Sequence, residues 1–540
     1  MPFPLLTQPY SIAGSYLALG YLDERRVSEH VVLRSVQGDS LATTLLTIKP
    51  AAPSAERAAF TPEGGVAIPT ADGRINARFT STRRLEVAGD VGYSLDLRSS
   101  GAYDAVVSPA PGMWEVLRYS ASVHLQIRVL AGVAELWADF DGARHTAACL
   151  NAAPGTVLEV RSVQDSPLAA PDAPPLMDFA DWLALAPPAA ERFAPTRELA
   201  AYVTWSAMVA PSGLVRRPSM FMSKNWMTNV WSWDHCFNAL ALAGSPELAW
   251  GQFMTAFDHQ GPAGNLQDSF NDATATYCFT KPPVHGWTLA ALWDKGVVTD
   301  ARLAEVYGPL SAWTNWWLTE RTAPGRTLPH YLHGNDSGWD NSTVFIGGKP
   351  VESPDLAALL VIQLEVLARI AGELGRESTW AERAEDLLRS LLATWDGTRF
   401  VAHDVSGKPI EHRSLLEFVT LVLGHRLPDE IRNTLIGRLA TQGHLTEHGL
   451  ATEPPDSPLY VPDGYWRGPI WAPSTYLILD SLRACGASAL AKQIAESFCS
   501  LVAGAGMAEN FDALTGAGLR DRAYTWTASV FLLLASWLSQ

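Results

Sequence analysis

The sequence is poor in cysteine, and the few cysteines it has form no recognisable pattern. Its 540 residues include five cysteines, with neither CxxC spacing nor a Cys/His spacing suited to a metal. A sparse, odd set of this kind indicates reduced, buried thiols in a cytoplasmic protein rather than a disulfide framework. We therefore expect no disulfides, no catalytic metal and no cofactor.

Basic residues and long apolar runs are also scarce. Forty Lys and Arg stand against 56 Asp and Glu, which gives a net charge of −16. This balance argues against nucleic acid or an anionic membrane as a partner.

The terminal run VFLLLASWL is too short to span a bilayer and predicts a buried helix. The stretch MPFPLLTQPYSIAG lacks the basic and apolar regions of a signal peptide, so we expect a cytoplasmic protein. Partner proteins are left open.

The first third of the chain has the pattern of β-structure. VHLQIRV (123–129) alternates apolar and polar residues, and the stretches 85–100 and 132–142 do the same between Gly and Asp turns. Period-2 alternation in several short segments is typical of a sandwich. We predict an antiparallel β-sandwich over residues 1–165, followed by a Pro- and Ala-rich linker at 166–176.

Residues 177–540 have the pattern of helices instead. The segment 353–375 begins with Ser353 as a cap and Pro354 at the first helical position, and it is apolar on all sides. The segment 378–397 has a single apolar stripe. A buried helix followed by an amphipathic one suggests an inner and an outer ring. About a dozen helices fit this length, given usual helix and loop lengths. The predicted class is mainly α, an (α/α)6 barrel preceded by the sandwich.

Tryptophan is concentrated in the helical region. Eighteen of the 20 tryptophans follow residue 177, and several lie in polar loops that a helical core does not explain. Aromatic planes beside carboxylates, amides and Arg are what a sugar site needs, because sugar C–H faces stack on rings while hydroxyls bind charged groups. These loops are NWMTNVWSWDHCF (225–237), KPPVHGW (281–287), HGNDSGWDNST (333–343), PDGYWRGPIWAPSTY (462–476) and AENFDALTGAG (508–518).

Carboxylates in these loops indicate possible glycoside hydrolysis. This reaction needs one carboxylic acid to protonate the leaving oxygen and a second carboxylate to attack or to activate water. The residues alone do not rank the candidates, which are Asp234, Asp336, Asp340, Glu453, Asp463 and Glu509.

The motifs WSWDHCF, PPVHGW, NDSGWDNS, YWRGPIW and ENFDALTGAG, in this order, resemble glycoside hydrolase family 63. They are similar, more weakly, to trehalases. The resemblance implies an (α/α)6 barrel that hydrolyses α-glycosides with inversion. It implies Asp340 as general acid and Glu509 as general base. It also implies sugar binding by a set of residues that comprises Trp233, Asp234, Tyr465, Trp466, Arg467 and Trp471.

Other residues of these loops are expected to bind the substrate or to support the site. Trp231, Gly338, Trp339 and His285 complete the expected substrate-binding set. Trp466 and Trp471 fit a sugar platform or the core, and Asp234 fits a helix N-cap, a sugar ligand or both. Asp336 is expected to be a hydrogen-bonding support. Asp340 should be partly desolvated, with Trp339 as a plausible cause, so that it keeps its proton, whereas Glu509 should be ionised.

We expect an inverting exo-α-glycosidase, first of all an α-glucosidase acting on a small carbohydrate. The alternatives within the class are a glucosylglycerate or mannosylglycerate hydrolase and a trehalase-like enzyme. A sugar lyase or epimerase is a second possibility, because (α/α)6 barrels host both. A third is a catalytically inactive sugar-binding module.

Overall fold

The structure is a computed structural model that describes residues 2–23, 26–38, 43–97, 101–119, 123–163 and 172–540. The chain forms two compact units. The first comprises Met1–Ala184, Ala201–Asn229 and Asn271–Thr274, and the second comprises Leu185–Ala200, Val230–Phe270 and Ala275–Gln540. The first unit thus extends beyond the predicted end at residue 165. Of the predicted linker, 166–176, only residues 172–176 belong to the described part of the chain.

Fifteen strands are described in the N-terminal part of the first unit. In chain order they are β1 Phe3–Pro4, β2 Leu17–Asp23, β3 Arg26–Ser35, β4 Thr43–Pro50, β5 Ala59–Thr61, β6 Gly65–Pro69, β7 Arg74–Ser81, β8 Arg84–Gly89, β9 Tyr93–Asp96, β10 Ala105–Ala110, β11 Met113–Arg118, β12 Val123–Ala131, β13 Ala134–Phe140, β14 His145–Ala152 and β15 Val157–Val163.

These strands form two antiparallel sheets. The order in the larger sheet is β1-β5-β6-β7-β8-β15-β12-β11-β10, and in the smaller it is β13-β14-β9-β4-β3-β2. In β8, buried and half-buried residues alternate, as expected when one face of a sheet is covered. The predicted strands are confirmed, because 123–129 lies in β12, 132–142 contains β13, and 85–100 contains most of β8 and all of β9.

Helices dominate the rest of the chain. They are α1 Phe179–Leu185, α2 Ala194–Ala207, α3 Asp234–Ala241, α4 Pro246–Met254, α5 His285–Asp294, α6 Asp300–Glu320, α7 Pro354–Glu373, α8 Trp380–Leu392, α9 Asp429–Thr441, α10 Ala472–Ala484, α11 Ser488–Ala505 and α12 Thr525–Trp537. Shorter or tighter helical turns are Glu191–Phe193, Phe257–His259, Gly334–Ser337, Thr343–Phe345 and Leu415–Arg426.

Two-residue strands pair in the loops. Met208–Val209 pairs with Ser219–Met220 in the first unit. The pairs of the second unit are Val230–Trp231 with Ser269–Phe270, Ser269–Phe270 with Ala275–Thr276, Val351–Glu352 with His403–Asp404, and Asn510–Phe511 with Gly518–Leu519.

Six helical elements of the second unit contact one another in a closed order. The sequence of contacts is α3, α5, α7, Leu415–Arg426, α10, α12 and back to α3. Helices α4, α8, α9 and α11 each contact one or more members of this ring. All residues of α3 are buried, which fits a helix covered on every side.

Helices α7 and α8 differ in burial, as their sequences predict. Helix α7 begins at Pro354 with Ser353 as N-cap residue, as predicted, although the Ser353 hydroxyl donates to Asp355 rather than capping a backbone N–H. Helix α8 packs on α7 and buries Trp380, Ala384, Leu387 and Leu391 along one side, while its other side is wet. The prediction of one buried and one amphipathic helix is confirmed.

The remaining expectations on apolar runs and cysteines have mixed outcomes. The terminal run lies in α12, whose residues are almost all buried, as predicted. None of the described helices combines the length and the apolar character needed to cross a membrane. Cys278 is exposed, so the expectation that all thiols are buried is wrong.

Candidate active site

Glycines shape the loop that carries Asp340. Gly338 has φ +73°, and a Cβ atom added to it would lie 2.6 Å from the Trp233 ring. A Cβ atom on Gly334 would lie 2.1 Å from the backbone oxygen of Asp340. Only residues without a side chain allow this left-handed turn and this close approach. Gly338 therefore allows the loop that carries Asp340 to pack against Trp233.

Asp336 supports the same loop from inside. Its buried carboxylate lies 3.0 Å from Arg321 and accepts hydrogen bonds from the backbone N–H groups of Thr280 and Leu332, at 3.1 Å and 2.9 Å. These partners engage both carboxylate oxygens. The contacts are those of the hydrogen-bonding support that the sequence predicts, rather than those of a reacting acid.

Asp340 lies below the surface among polar groups. Its side chain is 31% exposed, and its nearer oxygen lies 3.8 Å from the Lys281 ammonium. The Asn335 amide nitrogen, in the orientation that satisfies its hydrogen bonds, is 2.8 Å and 3.1 Å from the two carboxylate oxygens. Burial raises the pKa of Asp340 to about 6, against the opposing charge of Lys281, and the Asp268 charge adds to the rise. The expected desolvation is present.

Lys281 is a site residue that the sequence interpretation missed. Its Nζ lies 2.8 Å from Asp268 and donates to the backbone oxygen of Asn335 at 3.0 Å. Burial disfavours its charge, but the carboxylates of Asp340, Asp268 and Asp234 outweigh this and raise its pKa. In the sequence, Lys281 is marked as a site residue only by its place at the start of the KPPVHGW loop. Nothing in the sequence marks Asp268.

Asp234 is the first residue of α3 rather than its cap, because the N-cap residue is Trp233. Its side chain is buried, and its Oδ2 atom has no hydrogen-bond partner within the described part of the chain. Burial raises its pKa well above the usual range, the Lys281 charge opposes this, and Asp268 and Asp340 add to the rise. An orphaned buried oxygen of this kind fits a ligand for a sugar hydroxyl.

Glu509 lies just before the short strand Asn510–Phe511 and is 3% exposed. Its backbone N–H donates to the Asp521 backbone oxygen at 2.8 Å, and the Tyr465 hydroxyl favours its ionised form and so lowers its pKa. Burial raises its pKa to about 8, the Asp521 charge adds to this, and the Arg520 charge opposes it. Burial therefore acts against the ionised form of Glu509 that the sequence predicts.

Tyr465 lies within range of the charges of several carboxyl groups. It has φ +64°, which is strained for a bulky residue, and Arg520 lies over its ring with 4.8 Å to the centroid. Burial raises the pKa of its hydroxyl well above the usual range, and the charges of Glu509, Asp340 and Asp234 add to the rise. These three carboxyl groups, from three loops, thus all act on one tyrosine.

Four tryptophans of these loops form one buried cluster. Trp466 stacks on Trp471 with 4.1 Å between ring centroids and an interplanar angle of 5°, and Trp339 lies 4.8 Å from Trp466. Trp233 lies 6.1 Å from Trp466. All four side chains are at most 2% exposed. Of the two interpretations of Trp466 and Trp471, the structure favours packing, because other rings cover their faces.

Asn341 and a backbone bridge join the loops to one another. The Asn341 side chain accepts from the backbone N–H of Trp466 at 2.9 Å and donates to the Gly464 oxygen at 3.0 Å. The backbones of Ile470 and Phe511 exchange hydrogen bonds at 2.8 Å and 3.0 Å. The loops of Asp340, Tyr465 and Glu509 are therefore held together.

The remaining predicted binding residues occupy more varied places. Trp231 is half-buried, and its backbone oxygen lies 3.1 Å from His235 Nδ1. Arg467 is half-buried and donates to the Leu459 oxygen at 3.2 Å, within its own loop. His285 is fully buried at the start of α5, and burial lowers its pKa well below the usual range. Trp231 and Arg467 are thus partly exposed in the loops, whereas His285 is enclosed in the core.

The other carboxylate candidates have structural partners. Glu453 is buried and accepts from the hydroxyls of Thr343 at 2.8 Å and Ser457 at 2.5 Å. The Asp463 side chain is 63% exposed and pairs with Arg520. Glu453 is buried but has both oxygens hydrogen-bonded, and Asp463 is exposed. Neither combines burial with an oxygen free to react, as a proton-transfer group does.

One group of side chains could hold a metal ion among the described residues. The ligand atoms of His235, Cys236 and His285 all lie within 4.8 Å of one another, and all three residues are buried. Burial lowers the pKa of His235 to about 4 and raises that of the Cys236 thiol, so the group is neutral at pH 7. Sequence spacing missed this group because His285 is distant in the chain.

The part of the chain that contains these loops matches a known family of domains. Residues 227–527 match the mannosylglycerate hydrolase MGH1-like glycoside hydrolase domain. Mannosylglycerate hydrolase from Thermus thermophilus is 25% identical over 399 residues, which cover 56% of this chain and 93% of that protein. Glucosylglycerate hydrolase from Mycolicibacterium hassiacum is 23% identical over 411 residues, 56% of this chain and 91% of that protein.

A solved structure is similar in fold. The GH63 mannosylglycerate hydrolase from Thermus thermophilus, in complex with Tris and D-glycerate, has a TM-score of 0.57 and 22% identity, and covers 64% of this chain and 100% of that one. The domain match and the relatives make this protein a glycoside hydrolase. The chain belongs to the MGH1-like glycoside hydrolases of family 63.

The contact between Gly338 and Trp233 predicts the effect of adding one methyl group. Gly338→Ala should lower the free energy of unfolding by about 2–4 kcal/mol, because backbone strain and a clash with the ring add up. Gly348→Ala is the matched control, since Gly348 has φ +63° but open space around its Cβ position. It should cost about 1 kcal/mol. Denaturant unfolding measures both, and equal losses would contradict the packing role.

The buried pair of Asp336 and Arg321 predicts a stability effect of similar size. Asp336→Ala should destabilise by about 3–5 kcal/mol, because it leaves the Arg321 charge buried without its partner. The exposed pair of Asp386 and Arg389 supplies the control, with side chains 70% and 73% exposed. Asp386→Ala should change stability by less than about 1 kcal/mol. Thermal unfolding that ranks the two variants equally would show that Asp336 is not a support.

Proposed function

We propose that the protein hydrolyses an α-glycoside of glycerate, mannosylglycerate or glucosylglycerate, with inversion at the anomeric carbon. Asp340 is the general acid and Glu509 the general base. The observation that carries the proposal is that the loops of Asp340, Tyr465 and Glu509 are hydrogen-bonded to one another. In addition, the charges of Asp234, Asp340 and Glu509, each from a different loop, all act on Tyr465. Two opposed carboxyl groups at one sugar are the requirement of this reaction.

The reaction proceeds in one displacement. Asp340 gives its proton to the glycosidic oxygen, and the bond from that oxygen to the anomeric carbon breaks with its electron pair left on the oxygen. A water molecule bonds to the anomeric carbon from the opposite face, and Glu509 takes a proton from it. Asp234, with its unpartnered Oδ2, binds a hydroxyl of the sugar. The products are the free sugar and glycerate.

Burial opposes the charge state that this reaction needs at Glu509. It raises the pKa of Glu509 to about 8 and that of Asp340 to about 6, so both carboxyl groups hold a proton more strongly than a free acid does. We infer that a bound substrate favours a proton on Asp340 over one on Glu509. Its glycerate carboxylate lies on the leaving-group side and therefore disfavours an ionised Asp340 more than an ionised Glu509.

The choice of glycerate as the leaving group comes from the relatives. Proteins named mannosylglycerate hydrolase and glucosylglycerate hydrolase align over more than nine-tenths of their own length. The structural neighbour is described in complex with D-glycerate. These names favour a glycerate glycoside over the simple α-glucoside expected from the sequence.

The architecture of the second unit supports an (α/α)6 barrel as its scaffold. The closed order of six buried helical elements, with amphipathic helices outside, is the arrangement expected of an inner and an outer ring. In such a barrel, loops far apart in the sequence face one pocket. We assign the catalytic domain to residues 177–540 and the first 165 residues to a sandwich.

The substrate proposal predicts selective release of glycerate. The protein should hydrolyse mannosylglycerate or glucosylglycerate at least tenfold faster, by kcat/KM, than maltose or trehalose, because a site built for the glycerate carboxylate is left unsatisfied by a neutral sugar. Proton NMR of the first product should show the β-anomer. An initial α-anomer, an unsaturated product, an isomerised sugar or no hydrolysis at all would contradict the proposal.

The proposed roles predict different responses to the leaving group. Asp340→Asn should lower kcat on the glycerate glycoside by about 10²–10⁴-fold, the usual value of general acid catalysis. It should retain activity on the matching α-glycosyl fluoride, because fluoride leaves without a proton. Glu509→Gln should lose activity on both substrates, since both need activated water. Equal losses on the fluoride for the two variants would overturn this assignment.

A further inference from the structure

The buried ammonium of Lys281 lies near Asp268, Asn335 and Asp340. The Lys281 side chain is 6% exposed, and its Nζ lies 2.8 Å from the Asp268 carboxylate and donates to the Asn335 backbone oxygen at 3.0 Å. Asp340 Oδ1 lies 3.8 Å from Nζ, which is beyond a hydrogen bond but within the range of a strong charge interaction.

We propose that Lys281 is a positioning residue of the general acid: held by Asp268 and Asn335, its ammonium stabilises the Asp340 carboxylate as that group gives up its proton. A neutral Asp340 has little attraction for Lys281, whereas the carboxylate left after proton transfer has a strong one. The interaction therefore grows along the reaction, which is the property that lowers a barrier. This inference rests on the proposed role of Asp340.

The negative charge of Asp268 partly neutralises the ammonium of Lys281 and so weakens its attraction for the Asp340 carboxylate. It binds Lys281 more closely than Asp340 does, at 2.8 Å against 3.8 Å. Its carboxylate also repels that of Asp340. Removing Lys281 and removing Asp268 should thus act on Asp340 in opposite directions, which a purely structural pair would not do.

The other groups around Asp340 are accounted for. His333, from the same loop, favours the ionised form of Asp340, as Lys281 does. Asn335 offers a neutral amide. Asp234 and Tyr465 lie near enough for the Asp340 charge to raise the pKa of each. Lys281 is the nearest full positive charge on this carboxyl among the described residues, and it contacts a second acid that can be changed independently.

The first experiment compares pH profiles of kcat/KM for the full-length wild type, Lys281→Met and Asp268→Asn on the glycerate glycoside. The wild-type profile should have a limb near pH 6 that belongs to Asp340, because kcat/KM reports the free enzyme. Lys281→Met should move this limb up by roughly one pH unit, and Asp268→Asn should move it down. Lys281→Arg should leave it near its original place. Shifts in the same direction, or none, would overturn the proposal.

The second experiment separates proton transfer from folding. Lys281→Met should lower kcat on the glycerate glycoside on the order of tenfold, with the α-glycosyl fluoride almost unaffected. The control is Lys349→Met, since Lys349 is 61% exposed and pairs with Asp404 at 2.9 Å. The control should change neither rate. Equal losses of Lys281→Met on both substrates would show a structural role and reject the inference.

Asp340→Asn, measured in parallel, distinguishes the two proposals. If this variant keeps full activity on the glycerate glycoside, the proposed function fails. If it loses that activity but retains fluoride hydrolysis while Lys281→Met behaves like Lys349→Met, the acid is correct and only the role of Lys281 fails. The double variant of Lys281→Met and Asp340→Asn should be no slower than Asp340→Asn alone, because the two residues act on one step.

Discussion

The stacking of Trp466 is the interaction on which the site depends. Its ring lies against Trp471 at 4.1 Å and contacts Trp339 and Trp233, so that three separate loops share one ring. Aromatic pairs of this kind contribute about 0.5–1.5 kcal/mol each beyond the area they bury. Asp234 follows Trp233 and Asp340 follows Trp339 in the chain. The rings thus fix the two carboxyl groups by fixing the residues before them.

The carboxyl groups oppose this packing by their charge. Asp234, Asp268 and Asp340 lie near the buried cation Lys281. Burial and the Asp268 charge together raise the pKa of Asp340 to about 6, against the charge of Lys281. Buried acids that repel one another cost stability, and the protein offsets part of this through Lys281 and through Asn335. A site that must hold a proton near neutral pH needs this desolvation. The burial that costs stability is therefore the same burial that raises the pKa of Asp340.

Sequence patterns predicted the elements better than the contacts between them. The start of α7 at Pro354, the wet side of α8 and the strand at 123–129 follow from local periodicity and were correct. Motifs located the loops of Asp340 and Tyr465. Lys281 and Asp268 escaped notice, because neither residue type nor spacing distinguishes a buried charge from a surface one. Trp466 and Trp471 were undecided for the same reason, since a ring in a loop can face either solvent or another ring.

The sequence by itself determined that this chain has β-strands followed by helices, carries aromatic and acidic loops, and resembles family 63. It also separated Asp336 from Asp340, because only one fits the acid position of the motif. The tertiary structure decided that Glu509 is buried beside Asp521, which raises its pKa, and that Asp340 has Lys281 for a neighbour. Proton affinity depends on burial and on charges within a few ångströms. Residues far apart in the chain supply both, so local sequence does not contain them.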